Sequence, residues 1–151
     1  MLDSLKIALQ YITPKHLLSR LVGTLAAAQA GAVTTAMIKL FIKQYKVDMS
    51  EALDSDPESY SSFNAFFTRQ LKIDARSICQ GKKQLALPVD GAVSQLGDIV
   101  HDAIFQAKGH NYSLTTLLGG KPELARPFLD GKFATIYLSP KDYHRIHMPI
   151  D

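Results

Sequence analysis

An α+β fold is predicted: a helical front part, then an incomplete, mostly antiparallel β region with short helices. Three observations predict it. Apolar residues recur at helical spacing through the first third of the chain. An aromatic cluster at Phe63, Phe66, Phe67 and Leu71 is spaced for one further helix face. After Arg69 the pattern changes to short apolar runs punctuated by Gly, Pro and Asp-Gly.

Taken in order, Leu2, Leu5, Leu9 and Ile12 mark a first helix that Pro14 ends. A second is expected from Pro14 or Lys15 to Ala30, carrying Leu18, Leu21, Val22 and Leu25, with Gly31 closing it. A third, from Ala32 to about Lys46, places Val33, Met37, Leu40 and Phe41 on one face and Lys39, Lys43 and Lys46 along another. Two readings of these helices stay open: a small bundle hiding its apolar faces, or an interfacial anchor whose lysines meet acidic headgroups. Residues 48–57 are polar and acidic, a linker or helix start. Ser61 or Ser62 then caps the aromatic helix, whose rings read as core.

In the β part, the run Gln84–Leu87 leads to Pro88, and Val89 and Val93 flank an Asp90-Gly91 tight turn, with Ser94–Leu96 continuing outward. Ile99–Gln106 reads as a strand, and Ser113 as the N-cap of a helix over Leu114–Leu118 that Gly119-Gly120 stops. Pro122 to Asp130 is loop or one helical turn. Asp130-Gly131 opens the strand Lys132–Leu138, and Ser139 to Asp142 form a β-turn. So few strands leave an unpaired edge, and the expectation is a fragment or truncated product of a longer protein. The predicted division is 1–47 helical and membrane-associating, 48–72 linker and aromatic helix, and 73–151 the truncated N-terminal part of a β-rich domain.

The 151 residues are 46% hydrophobic, enough for a real core, and the net charge of +3 is too small to argue for nucleic acid. Charge is uneven. Lys6, Lys15, Arg20, Lys39, Lys43 and Lys46 stand against only Asp3 and Asp48 in the first fifty residues, which suits an anionic membrane surface. No run approaches the ~18 uninterrupted apolar residues of a spanning helix, because Thr24, Gln29 and Thr34-Thr35 interrupt the best one. A peripheral place on the cytoplasmic side of the cell membrane is expected. Cys79 is the single cysteine, so neither a disulfide framework nor a thiolate cluster is available.

The chemistry concentrates at the end. Phe133 to Pro149 reads as a buried strand followed by a loop with His144 and His147 three apart, and imidazole titrates near neutral pH. Upstream, Asp90 is the one carboxylate in an otherwise apolar strand-and-turn. By pattern alone three readings remain: surface or capping histidines; two metal ligands, with Asp90 or His110 as a third; or a general base held by Asp90. The first is the commonest outcome for any histidine pair, and Asp90 alone can be a turn former.

Pro88-Val-Asp-Gly-Ala-Val-Ser94 together with Asp142-Tyr-His-Arg-Ile-His-Met-Pro149 resembles the bacterial phosphatidylserine decarboxylases, membrane enzymes that make phosphatidylethanolamine with a pyruvoyl group. Residues Leu5–Ile12, Ser62–Arg69 and Gln106–Ser113 carry the likeness over essentially the whole chain. The family's Leu-Gly-Ser-Thr motif, whose serine becomes the pyruvoyl group, does not occur in these residues. The resemblance implies a charge relay of Asp90 and His147 for self-cleavage, a decarboxylation role for His144, and no metal. It also implies a covalent pyruvoyl cofactor from a serine outside this chain, an α chain carrying it, and phosphatidylserine as substrate. A homo-oligomer stays open. By itself the chain is then expected neither to cleave itself nor to release CO2. The competing classes are a barrel-sandwich binding module of the lipoyl-carrier kind and a non-catalytic membrane-associated remnant. Against the first, no lysine sits at a hairpin tip, and the helical front half has no place there.

Overall fold

The computed structural model describes residues 14–79, 81, 83–106 and 110–149, and the chain divides after residue 82 into two compact units. The helix expected over Leu2–Ile12 lies outside the described residues.

In the first unit, helix α1 spans Lys15–Ala27 and α2 spans Ala32–Tyr45. α1 stops three residues before the expected Ala30 because Ala28 is extended (ψ 139°). Gly31 therefore does not close α1; it precedes α2, with φ 54°. Thr34 ties the joint together: its hydroxyl accepts from the Ala30 N–H at 3.0 Å and donates to the Ala28 carbonyl at 3.4 Å. The threonine that interrupts the apolar run is thus nearly buried, at 4% exposure, where two helices meet at 109°. Helices of 13 and 14 residues each rise only ~20 Å, against a hydrocarbon layer of ~30 Å. Among the described residues no single helix is long and apolar enough to cross a membrane.

The face of α2 that turns inward is not the expected one. Ile38 is fully buried and Phe41 and Ile42 are half-buried, whereas Val33, Met37 and Leu40 are exposed. Both stripes are apolar at helical spacing, so periodicity could not rank them; the aromatic residues that follow do. Helix α3, Phe63–Phe67, starts at Ser62, whose Oγ accepts from the Ala65 N–H at 3.1 Å. Its Phe66 is fully buried with Ile38 and Val47, and Phe41, Ile42, Met49, Tyr60 and Phe63 close around them. The rings of Phe41 and Phe63 meet edge-on at 5.1 Å, and the Arg69 guanidinium lies 5.5 Å from the Phe66 centroid. Leu71 falls beyond α3 and bridges Ala52 instead.

The second unit holds two antiparallel pairs. β1 (Ala92–Asp98) pairs with β4 (Lys132–Tyr137), with a register shift between Val93 and Gln95. β2 (Ala103–Gln106) pairs with β3 (His110–Ser113). The expected strand from Ile99 is shortened because residues 100–103 close a tight turn, with Val100 and Ala103 exchanging backbone bonds of 3.0 and 2.9 Å. β3 leads into α4 (Leu114–Leu117), and the Ser113 hydroxyl caps it by accepting from the Thr116 N–H at 3.1 Å. α5 (Pro122–Ala125) and a 3-10 turn over Arg126–Phe128 complete the unit. Ile99, Ile104, Leu114 and Ala125 form the core against Phe133. The ring of Phe133 covers Gly97, its partner across the ladder, where an added Cβ would come within 2.7 Å of the ring.

Asp102 organises this core from its edge. Its carboxylate accepts from the Ser113 hydroxyl (2.6 Å), the Thr115 hydroxyl (2.7 Å) and the Thr115 N–H (2.8 Å), and its carbonyl accepts from the Leu114 N–H at 2.8 Å. The hydroxyl of Ser113, then the hydroxyl and the N–H of Thr115, hold the acid below the ordinary carboxylate value by stabilising its charged form.

Candidate active site

The loop carrying Asp90 and the segment carrying the two histidines run alongside each other. The His147 N–H donates to the Pro88 carbonyl at 2.8 Å, and two residues along on each side the Ala86 N–H donates to the Pro149 carbonyl at 3.4 Å. These are the rungs of an antiparallel pair, in which opposed residues normally exchange two bonds. Here each rung has one, because its other member is a proline with no N–H to return. The run Gln84–Leu87, expected as a strand, therefore lies beside its partner without becoming one.

Asp90 stands two residues beyond Pro88, half-buried, and directly before Gly91. The Asp-Gly pair, expected as a tight turn, does not join two strands that pair with each other. Gly91, at φ 136°, feeds the chain into β1, whose partner is the distant β4. An added Cβ at Gly91 would stand 2.5 Å from the Tyr137 carbonyl oxygen, so glycine is what lets the Asp90 loop press against the end of β4.

His144 and His147 follow the turn that ends β4. The Asp142 N–H donates to the Ser139 carbonyl at 3.0 Å, while the Asp142 carboxylate accepts from the Ser139 N–H (2.6 Å) and hydroxyl (2.7 Å). The same Ser139 carbonyl receives Nε2 of His144 at 2.9 Å. A carbonyl oxygen only accepts, so Nε2 of His144 carries the hydrogen and, in the neutral ring, Nδ1 is the basic nitrogen. Tyr143 is buried beneath, and His147 is exposed. Nε2 of His147 lies 3.1 Å from the Tyr143 hydroxyl, and the two rings stack at 5.6 Å and 20°.

Sequence reasoning missed Tyr143 as a member of this group. Its signal was present, a phenol four residues before the second histidine, but that spacing brings side chains together in a helix and this segment is not one. The Nε2 atoms of the two histidines go to different partners, a carbonyl and a phenol, so the pair does not converge through them. Among the described residues no group of three or more His, Cys, Asp or Glu is arranged to hold a metal ion.

The phosphatidylserine decarboxylase family model matches residues 63–151, and one described as PSD matches residues 5–46. The phosphatidylserine decarboxylase proenzyme of Pseudoalteromonas atlantica is 76% identical over the whole chain, which covers 53% of that relative. The proenzyme of the same name from Alteromonas mediterranea is 68% identical over the whole chain, covering 46% of it. That of Shewanella baltica is 67% identical over 99% of the chain and is covered to 51%. The chain thus spans about half the length of the curated relatives it matches.

Proposed function

The chain belongs to the phosphatidylserine decarboxylase family, and from that premise we propose that it supplies the base side of a self-cleaving relay in a decarboxylase proenzyme. In this reading Asp90 steadies the His147 imidazole, and His147 takes the proton of a serine hydroxyl supplied by another part of the protein. The serine oxygen attacks the carbonyl carbon before it and displaces the serine's own nitrogen, giving an ester; elimination of that carboxylate parts the chain in two, and hydrolysis of the enamine left behind releases ammonia and leaves a ketone at the new N-terminus. The mature enzyme is a lyase that converts phosphatidylserine to phosphatidylethanolamine and CO2.

The observation that carries this reading is the 2.8 Å bond from the His147 N–H to Pro88, which ties the histidine segment to the loop of Asp90. The residues suit a covalent pyruvoyl group: the His147 ring is open to solvent above a buried tyrosine, and two imidazoles and a phenol are donors at hand, with a carboxylate to accept. Such a group supplies an electron-withdrawing ketone to an amine substrate. His144 is the residue we assign to proton delivery after CO2 departs.

We place the protein peripherally at the cytoplasmic face of the membrane. Leu17, Leu18, Leu21, Val22 and Leu25 are all about half-exposed or more on α1, which has no buried residue, and this supports an interfacial role. Of the two lysines on α2, Lys39 is already engaged, at 2.8 Å from the Glu58 carboxylate. That leaves Lys43 as the stronger candidate for acidic headgroups.

The relay is tested by His147→Ala in the full-length proenzyme, followed on a denaturing gel. A single uncleaved chain is expected; conversion to two chains at the normal rate would remove the assignment.

A further inference from the structure

We propose that Tyr143 is a positioning residue for His147, its hydroxyl holding Nε2 in the place that the reacting serine later takes. This rests on the relay reading above and adds a member to it. An exposed imidazole turns freely about two side-chain bonds, and its ordering has to be supplied by its neighbours. His147 has its backbone fixed at Pro88, yet its ring is on the surface. Two contacts of one residue restrain that ring: the 20° stack at 5.6 Å and the 3.1 Å approach of the hydroxyl to Nε2. Tyr143 can serve as the rigid partner because it is 9% exposed and follows the Ser139–Asp142 turn, itself closed by three hydrogen bonds.

The chemistry sets the direction of the bond. A neutral imidazole has one N–H and one lone pair. A relay carboxylate accepts, so it takes the N–H, on Nδ1, and Nε2 keeps the lone pair. The phenol O–H then donates to Nε2. A phenol makes this hydrogen bond as a donor and does not give up its proton to a neutral imidazole. Tyr143 therefore aims the base and selects its tautomer without neutralising it. A serine hydroxyl has the same donor geometry and can exchange with the phenol.

The test uses the full-length proenzyme with Tyr143→Phe, which keeps the ring and removes the hydroxyl, and Tyr143→Leu, which removes both. First-order self-cleavage is expected to fall about fivefold in the Phe variant, the worth of one ordinary hydrogen bond, and further in the Leu variant. In 15N-histidine-labelled protein, the His147 Nε2 resonance should move downfield in the Phe variant while that of His144 stays in place. Normal cleavage by Tyr143→Phe with His147 unmoved, or slower cleavage with a lower melting temperature and His147 unmoved, overturns the proposal. The first of those results beside a blocked His147→Ala leaves the relay standing without Tyr143. Normal cleavage by His147→Ala removes both.

Discussion

Gly91 and the Tyr137 carbonyl are too close for any side chain between them: a Cβ on the glycine would stand 2.5 Å from that oxygen. Gly91 is also at φ 136°, where residues other than glycine are strained. Gly91→Ala must therefore part the start of β1 from the end of β4 and carry Asp90 with it. A loss of ~2–3 kcal/mol is expected, read as a lower denaturation midpoint of the proenzyme, with slower maturation. An unchanged midpoint would show that the loop yields without cost.

That glycine marks where sequence reading succeeded and where it stopped. Asp-Gly between valines announced an unusual backbone conformation, and one is present. Its use was not legible, since a local pattern cannot tell a hairpin from a loop pressed on a strand some forty-five residues away. Likewise Ser62, Ser113 and the Ser139–Asp142 turn were legible because caps and turns are local chemistry. The inward face of α2 was not, because two apolar stripes share that helix and only α3 chooses between them. Asp102 and Tyr143 escaped notice for the same reason: each acts on a partner that the chain path, not the spacing, brings near.

The choice made by α3 can be measured. Phe66 is fully buried at the centre of the first unit, and Met37 on the outer stripe of α2 is 43% exposed. Phe66→Ala should cost ~3–5 kcal/mol, as for other buried aromatic truncations. Met37→Ala should cost well under 1 kcal/mol. Equal losses in urea unfolding would mean that the two stripes are buried alike.

Asp102 gives a pH dependence with a definite sign. Its folded value is depressed by the hydroxyls of Ser113 and Thr115 and by the Thr115 N–H. The stabilisation it brings is therefore complete above its unfolded value of about 3.9 and is lost as pH falls through the lower folded value. The difference in urea midpoint between the parent and Asp102→Asn should be constant from about pH 5 to 7 and shrink below about pH 4. A difference that grows on acidification would contradict the clamp.

The lipid-facing reading of α1 and α2 makes an ordered prediction for flotation with phosphatidylglycerol vesicles. Each of Leu21→Glu and Leu25→Glu should lower partitioning about tenfold, on the order of the transfer free energy of a leucine half removed from water. Lys43→Ala should weaken binding more than Lys39→Ala, because Lys39 is held at 2.8 Å by Glu58 in the folded protein. Its exposed ion pair gives up little when broken. The lysine effects should fade at high salt and the leucine effects persist.

The relay itself is best tested by whether its members act as one unit. If Asp90 works only through the imidazole, Asp90→Asn alone should slow self-cleavage by about 10³- to 10⁴-fold, the scale seen when a relay carboxylate is lost. His147→Ala should slow it at least as much. Combining them should then add almost nothing, since a missing base has no tautomer left to fix. Multiplicative losses in the double variant would mean that Asp90 has separate business, such as holding the Pro88–Gly91 loop against β4. The bond from the His147 N–H to Pro88 is made by backbone and survives both substitutions. The side-chain chemistry can therefore be removed while the two segments stay joined, and the cycle reports on the relay instead of on the fold.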